Sequence, residues 1–316
     1  MSLVSYDMFG KKRDKVQEAI NRFKAFEPED GYYLAFSGGK DSQCIYHLAQ
    51  MAGVKFDAHY RVTSVDPPEL VRFIKREYPD VAIDFPRDKD GKVITMWNLI
   101  PKKLMPPTRL VRYCCEKLKE TGGAGRLTVT GVRWAESSNR QNNQGVVTMV
   151  NRHKANKNEQ VAEGNNADFA ITNSGGLILN FDDAATRRTV EQCFRTSKTL
   201  LNPIIDWTDE DVWEFLNDVA KVPHCELYDQ GYKRLGCIGC PMSNNMEAEL
   251  ERYPKYKDHY LRAFNRMLIC RDKAGKDRDE IFNTPESVMN WWLGKTKLNY
   301  KKCNGQIRFD ELEADV

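Results

Sequence analysis

No run of about 18 apolar residues, the length a membrane-crossing helix requires, occurs anywhere in this 316-residue chain. Met1 to Gly10 contains Asp7 and has no apolar core, so nothing there resembles a secretory leader. Secretion and membrane spanning are therefore not expected, and the expected location is the cytoplasm. An excess of either charge is missing too: 48 Lys and Arg stand against 45 Asp and Glu, a net of +3. That balance does not imply strong nonspecific binding to nucleic acid. The Gly-x-x-x-x-Gly-Lys-Ser/Thr spacing of the Walker loop is also lacking at the one glycine-rich turn that invites the comparison.

That turn is Ser37-Gly38-Gly39-Lys40-Asp41-Ser42. It follows Gly31-Tyr32-Tyr33-Leu34-Ala35-Phe36, a short apolar and aromatic run suited to a buried parallel strand. It precedes Ser42 to Ala52, where Cys44, Ile45, Leu48 and Met51 recur at helical spacing. At a helix start the first backbone N–H groups lack helical partners and the dipole adds partial positive charge, so an anion is favoured. Gly38 and Gly39 let the backbone approach phosphate oxygens, and Lys40 adds a positive charge where negative charge develops. The structural alternative is a strand-to-helix turn that uses Gly-Gly for geometry and Asp41 or Ser42 as an N-cap.

Nine cysteines occupy positions 44, 114, 115, 193, 225, 237, 240, 270 and 303. In a reducing compartment, clustered cysteines more often bind metal than pair as disulfides. Cys114 and Cys115 are adjacent in a predicted helix, and Cys237 and Cys240 sit in a glycine-punctuated knuckle that leaves backbone N–H groups for sulfur. Four thiolates satisfy zinc or an iron–sulfur cube. Successive helical side chains point about 100° apart, which suits the separate corners of a cube better than one tetrahedral ion. Burial without any metal is the third option, since Cys often packs in cores.

The loop at 37–42 resembles that of the PP-loop ATP pyrophosphatases, which split ATP between its alpha and beta phosphates. Loop, Cys114-Cys115 and Cys237-x-x-Cys240 together resemble the phosphoadenosine phosphosulfate reductase family, whose members with this cysteine set carry a 4Fe-4S cluster. Similar too are Thr130 to Arg140, where the family places arginines against the nucleotide's anionic groups, Asn202 to Trp213, and Leu227 to Tyr232. The resemblance implies an α/β fold, a doubly wound, mostly parallel sheet of the adenine nucleotide alpha-hydrolase type. It implies an adenine nucleotide held by Ser37, Gly38, Gly39, Lys40, Asp41, Ser42, Arg133 and Arg140, with Lys40, Asp41 and Arg133 catalytic. Cys114, Cys115, Cys237 and Cys240 are the implied cluster ligands, and Mg2+ the implied companion of ATP.

Two departures separate this chain from the sulfonucleotide reductases proper. The terminal Glu-Cys-Gly-Ile/Leu-His type motif, whose cysteine attacks sulfur, is absent, and the loop is intact where such reductases tend to have degraded ones. Both favour a chain that consumes ATP, as in the ATP-pyrophosphatase component of DNA phosphorothioation systems. The expected reaction adenylylates an acceptor, nucleic acid being the favoured one, for sulfur transfer from a donor protein. The alternatives are a reductase of adenylyl sulfate or phosphoadenylyl sulfate, which takes electrons from a protein partner, and a nucleotide-sensing module with a structural cluster.

Independently of the family, Arg133 and Arg140 follow a β-rich run, Arg126 to Val132, at the edge where open α/β sheets bind ligands, and arginine forks suit phosphate or sulfate. Thr208 reads as an N-cap with Asp209, Glu210 and Asp211 in the first turn and Val212, Phe215, Leu216 and Val219 as an apolar stripe, a structural helix. A polar insertion, about 141–189, reads as a lid, a partner contact or a solvated segment. Arg152, His153, Lys154 and Lys157, then Arg187, Arg188, Arg195 and Lys198, then Lys295 to Lys302 beside Trp291-Trp292, form local basic clusters that could line a polyanion path or simply be solvated. The expected organisation is an N-terminal helix over 1–27, a nucleotide-binding α/β domain over 28–245, and a helical C-terminal extension over 246–316.

Overall fold

The structure is a computed structural model. It describes all residues except 1, 7, 11, 151–168, 172–176, 180–197, 277 and 297–316. In chain order its elements are β1 (Val4–Tyr6), β2 (Lys12–Asp14), α1 (Lys15–Ala25), β3 (Tyr32–Phe36), α2 (Lys40–Ala52), β4 (Phe56–Arg61), α3 (Pro68–Glu77), β5 (Ala82–Asp84) and α4 (Met96–Lys103). There follow β6 (Thr128–Val129), α5 (Ser138–Asn143), β7 (Val147–Val150), β8 (Phe169–Ile171), β9 (Leu177–Leu179), β10 (Lys198–Leu201), α6 (Asp209–Glu214), α7 (Met246–Arg252), α8 (Pro254–Lys273) and α9 (Pro285–Trp292). No helix among the described residues is long and apolar enough to cross a membrane.

The chain divides into two compact units, one comprising Met1–Ile94 and Cys115–Cys237, the other Thr95–Cys114 and Ile238–Val316. The first holds an eight-stranded sheet in the order β5-β4-β3-β6-β10-β7-β9-β8. Strands β5, β4, β3, β6 and β10 are parallel, and β7, β9 and β8 add an antiparallel edge. The fold is thus α/β with a mostly parallel sheet, as expected. The order reverses between β3 and β6: successive strands leave β3 toward β5 on one side and run from β6 to β10 on the other. A parallel sheet opens a crevice at such a reversal, at the carboxyl ends of its strands. The loop after β3 and the segment after β6 both meet there.

Local sequence explains the scaffold. Strand β3 is apolar on both faces and central, as expected for a strand covered on both sides. Asp14 caps α1 by accepting from the Gln17 N–H, and Ala19, Ile20 and Phe23 are the buried face of that helix. Helix α2 ends at Gly53 in the left-handed conformation at φ 69°, the usual glycine stop. Residues Tyr32, Leu34, Ala58, Val129 and Leu201 join α1, α2, Trp207 and Phe215 in one core.

In the second unit α4, α8 and α9 pack around Trp97, Tyr260, Phe264 and Trp292. Segment 95–114, expected within the α/β domain over 28–245, belongs to this unit. The reason is visible in its bonds: the Arg266 and Arg271 side chains donate to the Trp97 and Leu104 carbonyls, and the Trp292 indole donates to the Pro107 carbonyl.

Four other expectations change. The expected N-terminal helix over 1–27 is instead the antiparallel pair of β1 and β2 followed by α1, whose N-cap is Asp14. The run 126–132 is strand only at Thr128–Val129: the Arg126 N–H closes a turn on Gly123 O instead of pairing in the sheet, although the Thr130 N–H still reaches Leu201 O. Val219 leaves the apolar stripe and is exposed, since Phe215–Val219 widens into a π-helical turn closed by Ala220 N–H to Phe215 O. The polar insertion supplies three of the antiparallel strands, β7, β8 and β9, while its basic groups at 152–157 and 187–195 lie outside the described residues.

Gly131 holds the two sides of the crevice together. A Cβ there would lie 2.9 Å from the Asp41 carbonyl carbon and oxygen, atoms that cannot give way as a flexible side chain can. Gly131→Ala should therefore cost about 1–3 kcal/mol, read as a lowered urea midpoint at unchanged m-value; an unaltered midpoint would show that the two segments do not meet this tightly.

Candidate functional site

Ser37 begins the turn that joins β3 to α2, and its hydroxyl reaches the Ser42 hydroxyl at 3.2 Å, while Ser42 Oγ donates to Gly39 O at 2.8 Å. Gly38 takes φ 73°, and a Cβ there would meet Ile74 and Leu70 at 2.7–2.8 Å, so glycine is required on both conformational and packing grounds. The Lys40 N–H at the helix start donates to the Tyr228 hydroxyl at 2.8 Å. Burial raises the Tyr228 phenol well above its ordinary range, so it stays a neutral hydrogen-bonding group.

Four charges lock across the crevice. The Lys40 ammonium lies 2.9 Å from Asp209 Oδ1 and 3.3 Å from Asp41 Oδ1. Arg133 donates through Nε to Asp41 Oδ1 at 2.7 Å, through Nη2 to Asp209 Oδ1 at 2.7 Å, and through Nη1 to the Trp207 carbonyl at 3.1 Å. Burial opposes the Arg133 charge, but the two carboxylates outweigh it and its pKa is raised. Asp209 is held below the usual carboxylate range, first by the Lys40 hydrogen bond, against partial burial, and then by Arg133. Arg140 pairs with Glu136, and its pKa is lowered by burial and by the nearby Arg234 and Arg133 charges despite that partner. Exposed Arg234 makes no ion pair among the described residues.

A cavity of about 610 Å3 opens at the sheet beside the turn, and Ser37 lines it. Its floor includes Tyr33, Ala35, His59 and Arg61 from two adjacent strands, with Phe36 and Tyr60 reaching it at their carboxyl ends. The Tyr33 and His59 rings stack with centroids 4.4 Å apart, and His59 is braced between Asp57 and Asp84. Arg61 crosses to the Leu118 carbonyl and the Thr121 hydroxyl.

Cys115 and Cys237 lie in the first unit and Cys114 and Cys240 in the second. None of the seven described cysteines is in a disulfide. Cys115 opens a π-helical turn, Cys115–Lys119, whose last residue brings an ammonium beside Cys237 and Cys115. Cys237 Sγ also lies 3.5 Å from Thr63 Oγ1. In the knuckle, the Gly239 N–H goes to the Glu249 carboxylate rather than to sulfur, a correction to the expected use of that group. Among the described residues no three Cys, His, Asp or Glu side chains gather closely enough to hold a metal ion. The donor chemistry of two thiols beside a cation nevertheless suits an anionic thiolate-ligated cluster.

The phosphoadenosine phosphosulfate reductase domain model matches residues 31–243, about two thirds of the chain. The chain belongs to this family. Over 38 residues, 12% of this chain and 15% of the relative, it is 50% identical to an adenosine 5′-phosphosulfate reductase of Oceanobacillus iheyensis. Over 84 residues, 26% of this chain and 35% of the relative, it is 34% identical to a phosphoadenosine 5′-phosphosulfate reductase of Xylella fastidiosa. The chain thus spans about a third or less of these curated relatives. Among solved structures, the phosphoadenylyl-sulfate reductase of Candida auris in its phosphate complex aligns with 70% of this chain and 87% of its own, at 16% identity and TM-score 0.40. An FMN adenylyltransferase of Candida glabrata with FMN and an ATP analogue aligns with 75% and 73%, at 17% identity and TM-score 0.35.

Within this family member, Lys40, Asp41 and Arg133 converge at one point. Arg133 differs from expectation: it is buried inside the carboxylate lock instead of lying open as an anion fork, because Trp207 O and two aspartates take its donors. Asp209 and Tyr228 escaped the sequence reading as site residues. Asp209 hid among three consecutive acids that look alike as helix-start charges, yet Asp211 alone forms the capping box with Thr208 and pairs with Lys15. Only the fold distinguishes them.

The lowered Asp209 group fixes a sign. A depressed carboxylate contributes stability above its unfolded value of about 3.9 and loses it as pH falls through the lower folded value. The stability difference between parent and Asp209→Ala, from urea unfolding at a series of pH values from neutral downward, should therefore shrink toward acid; a difference constant with pH would assign the effect to packing instead of charge.

Proposed function

We propose that this chain is an ATP pyrophosphatase that adenylylates an acceptor for sulfur transfer. The observation that carries the reading is the shared position of Ser37, at once the first residue of an intact glycine turn at a helix start and part of the wall of the 610 Å3 cavity. Phosphates on the turn and a nucleoside in the cavity would then be one continuous ligand, an adenine nucleotide. The helix-start N–H groups and Lys40 would face the beta and gamma phosphates. Asp41 would help hold a magnesium ion, which when bound would offset charge on the phosphates.

In the proposed step an acceptor oxygen attacks the alpha phosphorus, the bond from that phosphorus to the bridging oxygen breaks, and pyrophosphate leaves with the electron pair. Lys40 stabilises the charge that grows on the leaving group, and the Arg133 Nε hydrogen bond keeps Asp41 oriented. Sulfide delivered by a donor protein then attacks the activated centre of the acceptor, the bond from that centre to the AMP oxygen breaks, and AMP leaves with the electron pair; nucleic acid is the acceptor class we favour. Cys114, Cys115, Cys237 and Cys240 would hold a 4Fe-4S cluster, which when bound supplies electron or sulfur chemistry, with Lys119 matching its negative charge. The names of the relatives support a second reading, reduction of adenylyl sulfate or phosphoadenylyl sulfate to sulfite, in the same cavity.

Lys40→Ala should abolish AMP and pyrophosphate formation from ATP, scored by thin-layer chromatography, while leaving the fold intact by circular dichroism; undiminished turnover would remove Lys40 from the chemistry. Sulfite release from either sulfonucleotide, with no AMP from ATP, would establish the reductase instead. Anaerobic purification should yield about four iron and four sulfide per chain, lost in Cys237→Ser; zinc in their place would overturn the cluster assignment.

A further inference from the structure

The seat proposed for phosphate is already filled by the chain's own carboxylate. Asp209 Oδ1 accepts from Lys40 Nζ at 2.9 Å and from Arg133 Nη2 at 2.7 Å, so one oxygen takes two cationic donors, as a phosphate oxygen would. The partners are unequal in their freedom. Lys40 and Arg133 side chains are 8% and 2% exposed, whereas that of Asp209 is 66% exposed. The cations are therefore fixed from within, and the carboxylate is the outer group with solvent behind it. Nor is Asp209 needed to start its helix, since Thr208 and Asp211 complete the capping box by themselves. Arg140 is matched in the same way by Glu136.

We propose that Asp209 is a built-in competitor of the anionic ligand: its carboxylate occupies the seat between Lys40 and Arg133 until a polyphosphate displaces it. This rests on the reading of residues 37–42 as a phosphate-binding turn. A ligand that must first displace a resident group binds with an affinity reduced by the fraction of molecules in which the seat is open. Two cations already neutralised offer little to a weakly charged anion, whereas pyrophosphate or a triphosphate brings enough charge to exchange with Asp209. The competitor thus raises the threshold for binding and favours release of AMP over ATP.

Isothermal titration of the full chain with inorganic pyrophosphate, in EDTA without magnesium, separates the possibilities. Asp209→Asn and Asp209→Ser should bind pyrophosphate roughly fivefold tighter than the parent, and adding Lys40→Ala should erase the gain. Binding only by the Asp209 variants supports the competitor even more directly. Parent and variants binding equally, or variants binding more weakly, overturns it while leaving the phosphate turn intact. No binding by any of them overturns the phosphate reading and the competitor together. Should both variants fail to fold by circular dichroism, a structure of the parent with pyrophosphate decides: Asp209 away from Lys40 supports the proposal, and Asp209 still hydrogen-bonded to Lys40 overturns it.

Discussion

Two carboxylate oxygens, each shared by Lys40 and Arg133, tie three segments that are far apart in the chain. Asp41 belongs to the turn after β3, Arg133 to the segment after β6, and Asp209 to the start of α6. Pairing buried cations with carboxylates is the way such charges are accommodated away from water, and a buried guanidinium stripped of its partners would be costly. The lock therefore fixes the geometry of the crevice before any ligand arrives. Gly131 is the steric half of the same constraint, since only a residue without a Cβ lets the second segment lie against Asp41. Preorganised charge of this sort is what electrostatic catalysis requires, and its placement at the reversal of strand order follows from topology alone.

Much of this was legible in the residues. The turn at 37–42 could be read because all its chemistry is local: an apolar strand, two glycines, a lysine and a helix start lie within a dozen positions. The parallel sheet was legible for a similar reason, from strands and helices alternating along the chain. What escaped depends on distance. Nothing near Arg133 says that its guanidinium ends between two aspartates, one of them 76 positions later, so it looked like an open fork. Asp209, Glu210 and Asp211 share one local role in sequence, and tertiary position alone assigns them to site, solvent and capping box respectively. The short β6 lies inside a longer β-rich run for the opposite reason: composition at 126–132 does not reveal that the Arg126 N–H closes a turn on Gly123 O.

Stability and binding pull against each other at Asp209. Its carboxylate satisfies two inner cations and so helps hold the crevice closed on itself, yet it stands where an anion is expected. Such conflicts concentrate at functional sites, where the arrangement best for the resting fold is rarely the one best for the ligand. Tyr228 has the same double character, since its hydroxyl saturates the Lys40 N–H that a phosphate oxygen would otherwise take.

The cavity floor has its own consequence. Tyr33, Ala35, His59, Arg61 and Thr128 face it, while Leu34, Ala58, Tyr32 and Val129 on the same strands face the core. Because neighbours along a strand point to opposite sides, the two sets are interleaved in the gene, and among these strand residues Phe36 and Tyr60, near the carboxyl ends, serve both. Lineages descended from such a chain can rewrite one register of letters to suit a new small molecule, and leave the alternate register, on which folding depends, untouched.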